Sequence, residues 1–247
     1  LALDWSRRSR EAGEHHEVLQ SAATGREVEL HWRLLHPQSG YSAGAMEPWE
    51  TARRRTDAGI SHLALDPAVE SVFLAVHAAH HFGFRLHWLA DVAALSVRLE
   101  PETWERAVDL AGRWRVRRAL LTAVEAAGLT FDVPLPAALG RAVRKAASHR
   151  TAAWMAARLR AGTLKDPPQL EAWPRRYLML DSWRSRLRVT GTLAFAPTQE
   201  DRDLAGLPAW ADPLTAVLRP VFIVKRALTR PKIRTDRSAW QHGDRAD

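Results

Sequence analysis

The sequence predicts an α+β protein that is mostly α-helical. One strictly alternating run lies near the N-terminus, helical periodicity holds from Asp66 onward, and Pro and Gly stand at the starts and ends of the periodic segments. At 247 residues and 46% hydrophobic, the chain can bury one substantial core or two modest ones.

In chain order, Leu1, Ala2, Leu3 and Trp5 read as a helix-like opening with neither an initiator methionine nor a secretory pattern, so a segment upstream of Leu1 is expected. From Glu27 to Leu34 the residues alternate. Val28, Leu30, Trp32 and Leu34 fall on one face and Glu27, Glu29, His31 and Arg33 on the other, which predicts a half-buried strand. His16 to Ala22 can pair with it through a turn at Thr24 and Gly25. After a Gly/Ser/Pro loop around Pro37 to Ala45 the pattern turns helical and stays so. Asp66 before Pro67 starts a helix to about Phe82, with Val69, Val72, Phe73 and Val76 on its buried stripe. Gly83 marks a break before a helix over Leu86 to Leu99. Pro101 starts another, and one from Val116 is expected to end at a Gly128 cap. Further helices are expected over Pro136–Arg150, Thr151–Ala161, Glu171–Val189 and Pro213–Leu228, with the last dozen residues frayed and no internal repeat.

Composition narrows the chemistry. With no cysteine there is no disulfide and no thiolate metal site, and a reducing, cytoplasmic compartment is expected. The apolar runs are too short and too interrupted to cross a bilayer. The net charge of +8 is arginine interleaved with acids, the pattern of a solvated surface, so nucleic acid is not the expected partner. Residues Leu214 to Leu228 mix Leu218, Val221, Phe222 and Val224 with Arg219, Lys225 and Arg226, and Arg230, Lys232 and Arg234 follow. That segment reads first as a helix packing its apolar side on the core, and it also suits weak contact with an anionic membrane.

Two places concentrate ionisable groups. Glu29 and His31 share the polar face of the strand, where they suit either a site across the sheet or plain solvent. In HAAHHFGFRLHWLADVAAL, His77 and His81 stand one turn apart, as do His87 and Asp91, and His80 falls in the apolar stripe. A histidine pair at that spacing can hold a metal or phosphate oxygens, and it can also be packing. Asp201 and Asp203 form an acid-x-acid pair in a polar loop where Thr198 with Asp201 reads as a helix capping box, so they are not expected to be metal ligands. There is no Gly-rich phosphate loop, nucleophile elbow or thiol nucleophile.

The order VELHWRL, HAAHHFGFRLHWLADVAAL, RRALLTAVEAAGLTFDVPLP and LPAWADPLTAVLRPVFIVKR resembles the uncharacterised nucleotidyltransferase family of the polymerase-beta-like superfamily. The family's His-x-x-Lys-His and Trp-x-x-Asp pattern is matched by His77, His81, Trp88 and Asp91, with His80 where lysine is common. The resemblance implies a remnant of a small mixed sheet in residues 1–45, a helical domain over 46–232 and a disordered tail at 233–247. It also implies transfer of a nucleoside monophosphate from a nucleoside triphosphate to an acceptor, a small molecule or a protein. Magnesium would be held by acids including Glu29, which matches the superfamily's third acid, and His77, His81 and Asp91 would line the nucleotide pocket. The Gly-Ser turn and the first acid pair of the superfamily do not occur in residues 1–247 and would precede Leu1, which would leave this chain inactive alone. Two other readings stay open: a metal-dependent hydrolase using His77, His81 and Asp91, and a noncatalytic helical interaction module.

Overall fold

A computed structural model describes residues 5–9, 16–31, 34, 41, 47–145, 149–165, 167–197 and 199–229. The architecture is α+β and mostly helical, with two small antiparallel sheets preceding the helices. The chain divides into two compact units, residues 1–189 and 190–247.

The expected hairpin forms. Strand β2 (His16–Ser21) pairs antiparallel with β3 (Glu27–His31), with Val18 opposite Glu29. Gly25 at φ 66 closes the turn, and its amide donates to the Ser21 carbonyl at 2.8 Å. Trp5 belongs to a strand rather than to a helix-like opening: β1 (Trp5–Ser9) adds to the other edge of β2, with Trp5 opposite Ser21. Ladder hydrogen bonds to a distant segment override a weak local preference there. The expected burial of the β3 apolar face is reversed at two positions, since Val28 and Leu30 are 47% and 56% exposed. Alternation marks a face as apolar, but burial needs a second layer, and none of the described residues covers these two side chains.

A second hairpin replaces the helical continuation expected after residue 45. After one helical turn, α1 (Glu47–Glu50), β4 (Arg53–Asp57) pairs with β5 (Ile60–Ala64) across Ala58 and Gly59. Both turn residues have positive φ, 50 and 80, the mirror-image turn that suits the twist of a two-residue hairpin. The strands are exposed on both faces apart from Ala64, so burial writes no alternation into RRRTD and ISHLA.

The helices of the first unit are built around α5 (Arg117–Phe131). Every residue from Ala119 to Ala127 is buried, with α2 (Pro67–His80), α3 (Leu86–Arg98) and α7 (His149–Arg160) packed against it. α4 (Pro101–Arg113) packs on α2 and α6 (Ala137–Lys145) on α4. Leu120, Val124, Val72, Val76, Leu89 and Met155 form the centre of the core. α5 does not end at Gly128 as expected. It continues to Phe131 and closes on Asp132 at φ 54. Gly128 serves closeness instead of termination, because a Cβ there would lie 3.0 Å from Leu135 Cδ2 and 3.3 Å from the Val133 carbonyl. α7 begins at His149, earlier than the expected Thr151, and His149 Nδ1 is hydrogen-bonded to the buried Glu125 carboxylate of α5.

The single helix expected over Glu171–Val189 is two, α8 (Gln169–Met179) and α9 (Trp183–Phe195). The break frees Asp181, whose carboxylate accepts from the amides of Arg117 at 2.6 Å and Arg118 at 3.0 Å. It thereby satisfies the first donors of α5, which has no side-chain cap from its own N-cap residue, Val116. Ser182 Oγ accepts from the Ser185 amide at 3.0 Å and starts α9.

The second unit contains α10 (Gln199–Ala205), a 3-10 turn at Ala209–Ala211 and α11 (Asp212–Thr229). Asp201 is fully buried and accepts from Arg219 Nη1 at 2.5 Å, while Arg219 Nε donates to the Leu193 carbonyl at 2.8 Å. Asp201 is thus committed to an ion pair; Thr198, its expected capping-box partner, lies outside the described residues. Arg219 correspondingly faces inward instead of joining the exposed basic side expected of this helix. Arg202 grips Asp212 with two nitrogens at 3.0 to 3.1 Å, and this hydrogen bonding holds the Asp212 carboxyl below its ordinary pKa.

Because Asp181 alone caps two amides of the most buried helix, Asp181→Ala is expected to cost about 1 to 2 kcal/mol of stability, read as a lower urea midpoint at unchanged slope.

Candidate active site

The histidines predicted to be functional stand at the C-terminal end of α2. This helix is started by Asp66, whose Oδ1 accepts from the Ala68 amide at 2.9 Å. Its inner face buries Val69, Val72, Val76 and Ala79, which leaves His77, His80 and His81 half-buried on the last turn. The carbonyl end of a helix carries partial negative charge, a setting that favours cationic side chains.

The chain then reverses sharply. Gly83 N donates to the Ala78 carbonyl at 2.8 Å and Phe82 N to the Ala79 carbonyl at 3.0 Å, the paired bonds of a Schellman closure. Phe82 holds the left-handed position usually given to glycine, at φ 51. That backbone costs about 1 to 2 kcal/mol, and burial of the ring, which meets Trp154 edge-on at 5.6 Å, offsets it by about as much. Gly83, at φ 61, has no room for a side chain: a Cβ would sit 2.8 Å from Leu89 Cδ1. This contact seats the start of α3 against the end of α2 and brings Trp88 onto the histidines.

The result is a ring cluster. His77 and His81 centroids are 4.8 Å apart, and each lies 4.7 Å from Trp88. Phe84 meets Trp88 at 5.0 Å, and the Arg85 guanidinium lies 5.3 Å from the Trp88 ring. Arg85 and His87 are exposed at the rim. The corner therefore offers imidazole and guanidinium donors beside apolar ring surface, a combination suited to an anionic ligand that carries an aromatic group.

Behind the corner, Tyr41 meets the His80 ring edge-on at 6.0 Å. Arg176, from α8, donates to the His80 carbonyl at 3.3 Å and lies 5.6 Å from the Phe82 ring. Burial pushes the Tyr41 hydroxyl up to about 12, with nearby Arg176 opposing the shift and Asp181 adding to it. Neither Tyr41 nor Arg176 could be picked out from the sequence, since one sits in a loop read as polar and the other is 96 residues from its partner.

Of the expected site residues, His77 and His81 come together with Trp88. Asp91 is exposed on α3, and Glu29 occupies the middle of β3 with its side chain outside the described residues. Among the described residues no three His, Asp or Glu side chains, His77, His81 and Asp91 included, form a group able to hold a metal ion.

The chain is α+β and mostly helical, with a histidine corner that follows two small antiparallel sheets. The chain belongs to the uncharacterised nucleotidyltransferase family, whose model matches residues 1–132. The match ends at Asp132, the left-handed residue that closes α5, and spans Glu29, His77, His81 and Asp91. No curated protein and no solved structure matches the chain.

Tyr41 gives a pH test of this corner. Its folded-state pKa lies above the unfolded value near 10, so the unfolded chain loses the proton first; the stability is fully present below pH 10 and is lost as pH rises through 12. Tyrosine ionisation is followed by absorbance near 295 nm. Tyr41→Phe should remove the transition near pH 12 and shrink the alkaline loss of stability by about 2 to 3 kcal/mol.

Proposed function

We propose that this protein transfers a nucleoside monophosphate from a nucleoside triphosphate to an acceptor that is a small molecule or a protein. The observation that carries this reading is the family match, which runs through both Glu29 and the histidine corner. In the transfer, the acceptor's nucleophilic atom bonds to the α-phosphorus and gives up its proton to a base. The bridging bond to the β-phosphate breaks, and pyrophosphate leaves with the electron pair.

His77 and His81 are proposed to donate to the phosphate oxygens, with Arg85 at the rim, and Trp88 to wall the pocket. Donors held in place by ring packing need no reorganisation as negative charge builds on the leaving group. Asp91, one turn after His87 on α3, is the proposed further residue on the nucleotide side.

Glu29 is the proposed catalytic carboxylate and magnesium ligand. Magnesium requires several oxygen ligands in near-octahedral array, and the described residues do not assemble such a group. Glu29 would need partners beyond them, and a magnesium ion held there would neutralise charge on the triphosphate.

Two measurements test the reading. Replacing His77 or His81 by Gln should weaken triphosphate binding at least about tenfold by calorimetry while leaving the melting temperature nearly unchanged, since hydrogen bonds to charged groups are worth roughly that much. A fall in melting temperature with unaltered affinity would make them packing residues. Pyrophosphate release by the protein together with any segment encoded upstream of Leu1 should be magnesium-dependent and drop at least about a hundredfold in Glu29→Gln, the loss that accompanies removal of a principal charge-stabilising group. Release indifferent to that change would remove Glu29 from the site.

A further inference from the structure

Helix α11 is oriented against the usual rule for a surface helix. Its inward side carries Thr215 and Arg219, both buried, whereas its outward side carries Leu214, Val217, Val221 and Val224, all exposed. Among its described residues, every exposed one is apolar except Lys225. The outward residues repeat at spacings of three and four, which keeps them on one stripe of the helix. From Leu214 to Val224 the stripe runs about 15 Å along the helix. Trp210, 84% exposed, precedes its first turn.

The reason for the orientation lies inside the unit. Asp201 is fully buried and takes its counter-charge from Arg219, which also donates to the Leu193 carbonyl. Rolling α11 to hide its valines would strand that carboxylate without its cation. The exposed stripe therefore follows from a buried ion pair and is not a frayed or marginal packing.

The charge of the residues C-terminal to the stripe decides between occupants. Residues 225–237 contain Lys225, Arg226, Arg230, Lys232, Arg234 and Arg237 against the single acid Asp236. A second helix docked on the stripe would account for the apolar spacing and leave the basic run unused. An anionic lipid surface uses both: the acyl boundary takes the valines, the headgroups take the cations, and an exposed tryptophan suits the interface between them. No helix among the described residues is long and apolar enough to cross a membrane, so contact would be in the plane of the surface.

We propose that the exposed stripe of α11 is a peripheral docking surface for anionic lipids, independent of the proposed nucleotide transfer; the cationic sequence from Arg230 onward, which lies outside the described residues, supplies the complementary charge.

The full chain should cosediment with vesicles of mixed phosphatidylcholine and phosphatidylglycerol, and the bound fraction should fall as salt is raised. Phosphatidylcholine vesicles alone should retain little. The doubly substituted Val217→Glu, Val221→Glu protein changes only exposed side chains and should melt as the parent does. Its partitioning should drop at least about tenfold, because it removes apolar insertion and adds charge repelled by the headgroups. Lys232→Glu with Arg234→Glu should weaken binding to the anionic vesicles and not to the neutral ones. Three results would overturn the proposal: no binding to anionic vesicles, equal binding to neutral ones, or a dimer in solution that Val217→Glu, Val221→Glu dissociates, which would make the stripe a contact between copies of the chain.

Discussion

Nine consecutive residues of α5, Ala119 to Ala127, are buried, and a helix buried on every side imposes its needs on all its neighbours. Apolar surface must come from several directions at once, and α2, α3 and α7 supply it. Four alanines in the run let those helices approach closely. The two polar residues need partners inside the helix or from a neighbour: Thr122 Oγ1 donates to the Arg118 carbonyl and Glu125 meets His149 at the start of α7. The first amides of α5 find theirs in Asp181, more than 60 residues downstream. The break between α8 and α9 is thus tied to the start of a helix far earlier in the chain.

The histidine corner depends on the same packing. Because the inner face of α2 is committed to the core, the last turn can only half-bury His77 and His81. The reversal through Phe82 and Gly83 then decides what meets them. Phe82 accepts a left-handed backbone because its ring is buried, and Gly83 accepts the side chain of Leu89 where any Cβ would stand. The next residue before Leu89 is Trp88, so a core contact places an indole against two imidazoles. The ring cluster is a consequence of how two helices are joined, with Arg176 from α8 holding the His80 carbonyl behind it.

In the second unit a single charge pair has the comparable role. Asp201 and Arg219 are buried together, so the rotation of α11 is set by electrostatics rather than by its apolar residues. The amphipathic rule that serves for α2 and α4 would have turned this helix the other way.

Local signals were enough for much of this architecture. Asp66 with Pro67, Pro101 and the Thr24–Gly25 turn mark starts and reversals by backbone chemistry that acts within a few residues, and His77 with His81 fall together because helical spacing alone brings them there. Tertiary structure decided what depends on partners distant in sequence. The β4–β5 hairpin has exposed strands and so no burial period to read. Gly128 looks like a terminator but is a point of close approach to Leu135. Val28 and Leu30 form an apolar face that no described layer covers. Asp181, Tyr41, Arg176 and Arg219 have meaning only through groups 18 to 140 residues away along the chain. Periodicity and turn chemistry report what a segment can do by itself, whereas the pairing of a buried charge or a capped amide depends on which other segment arrives beside it.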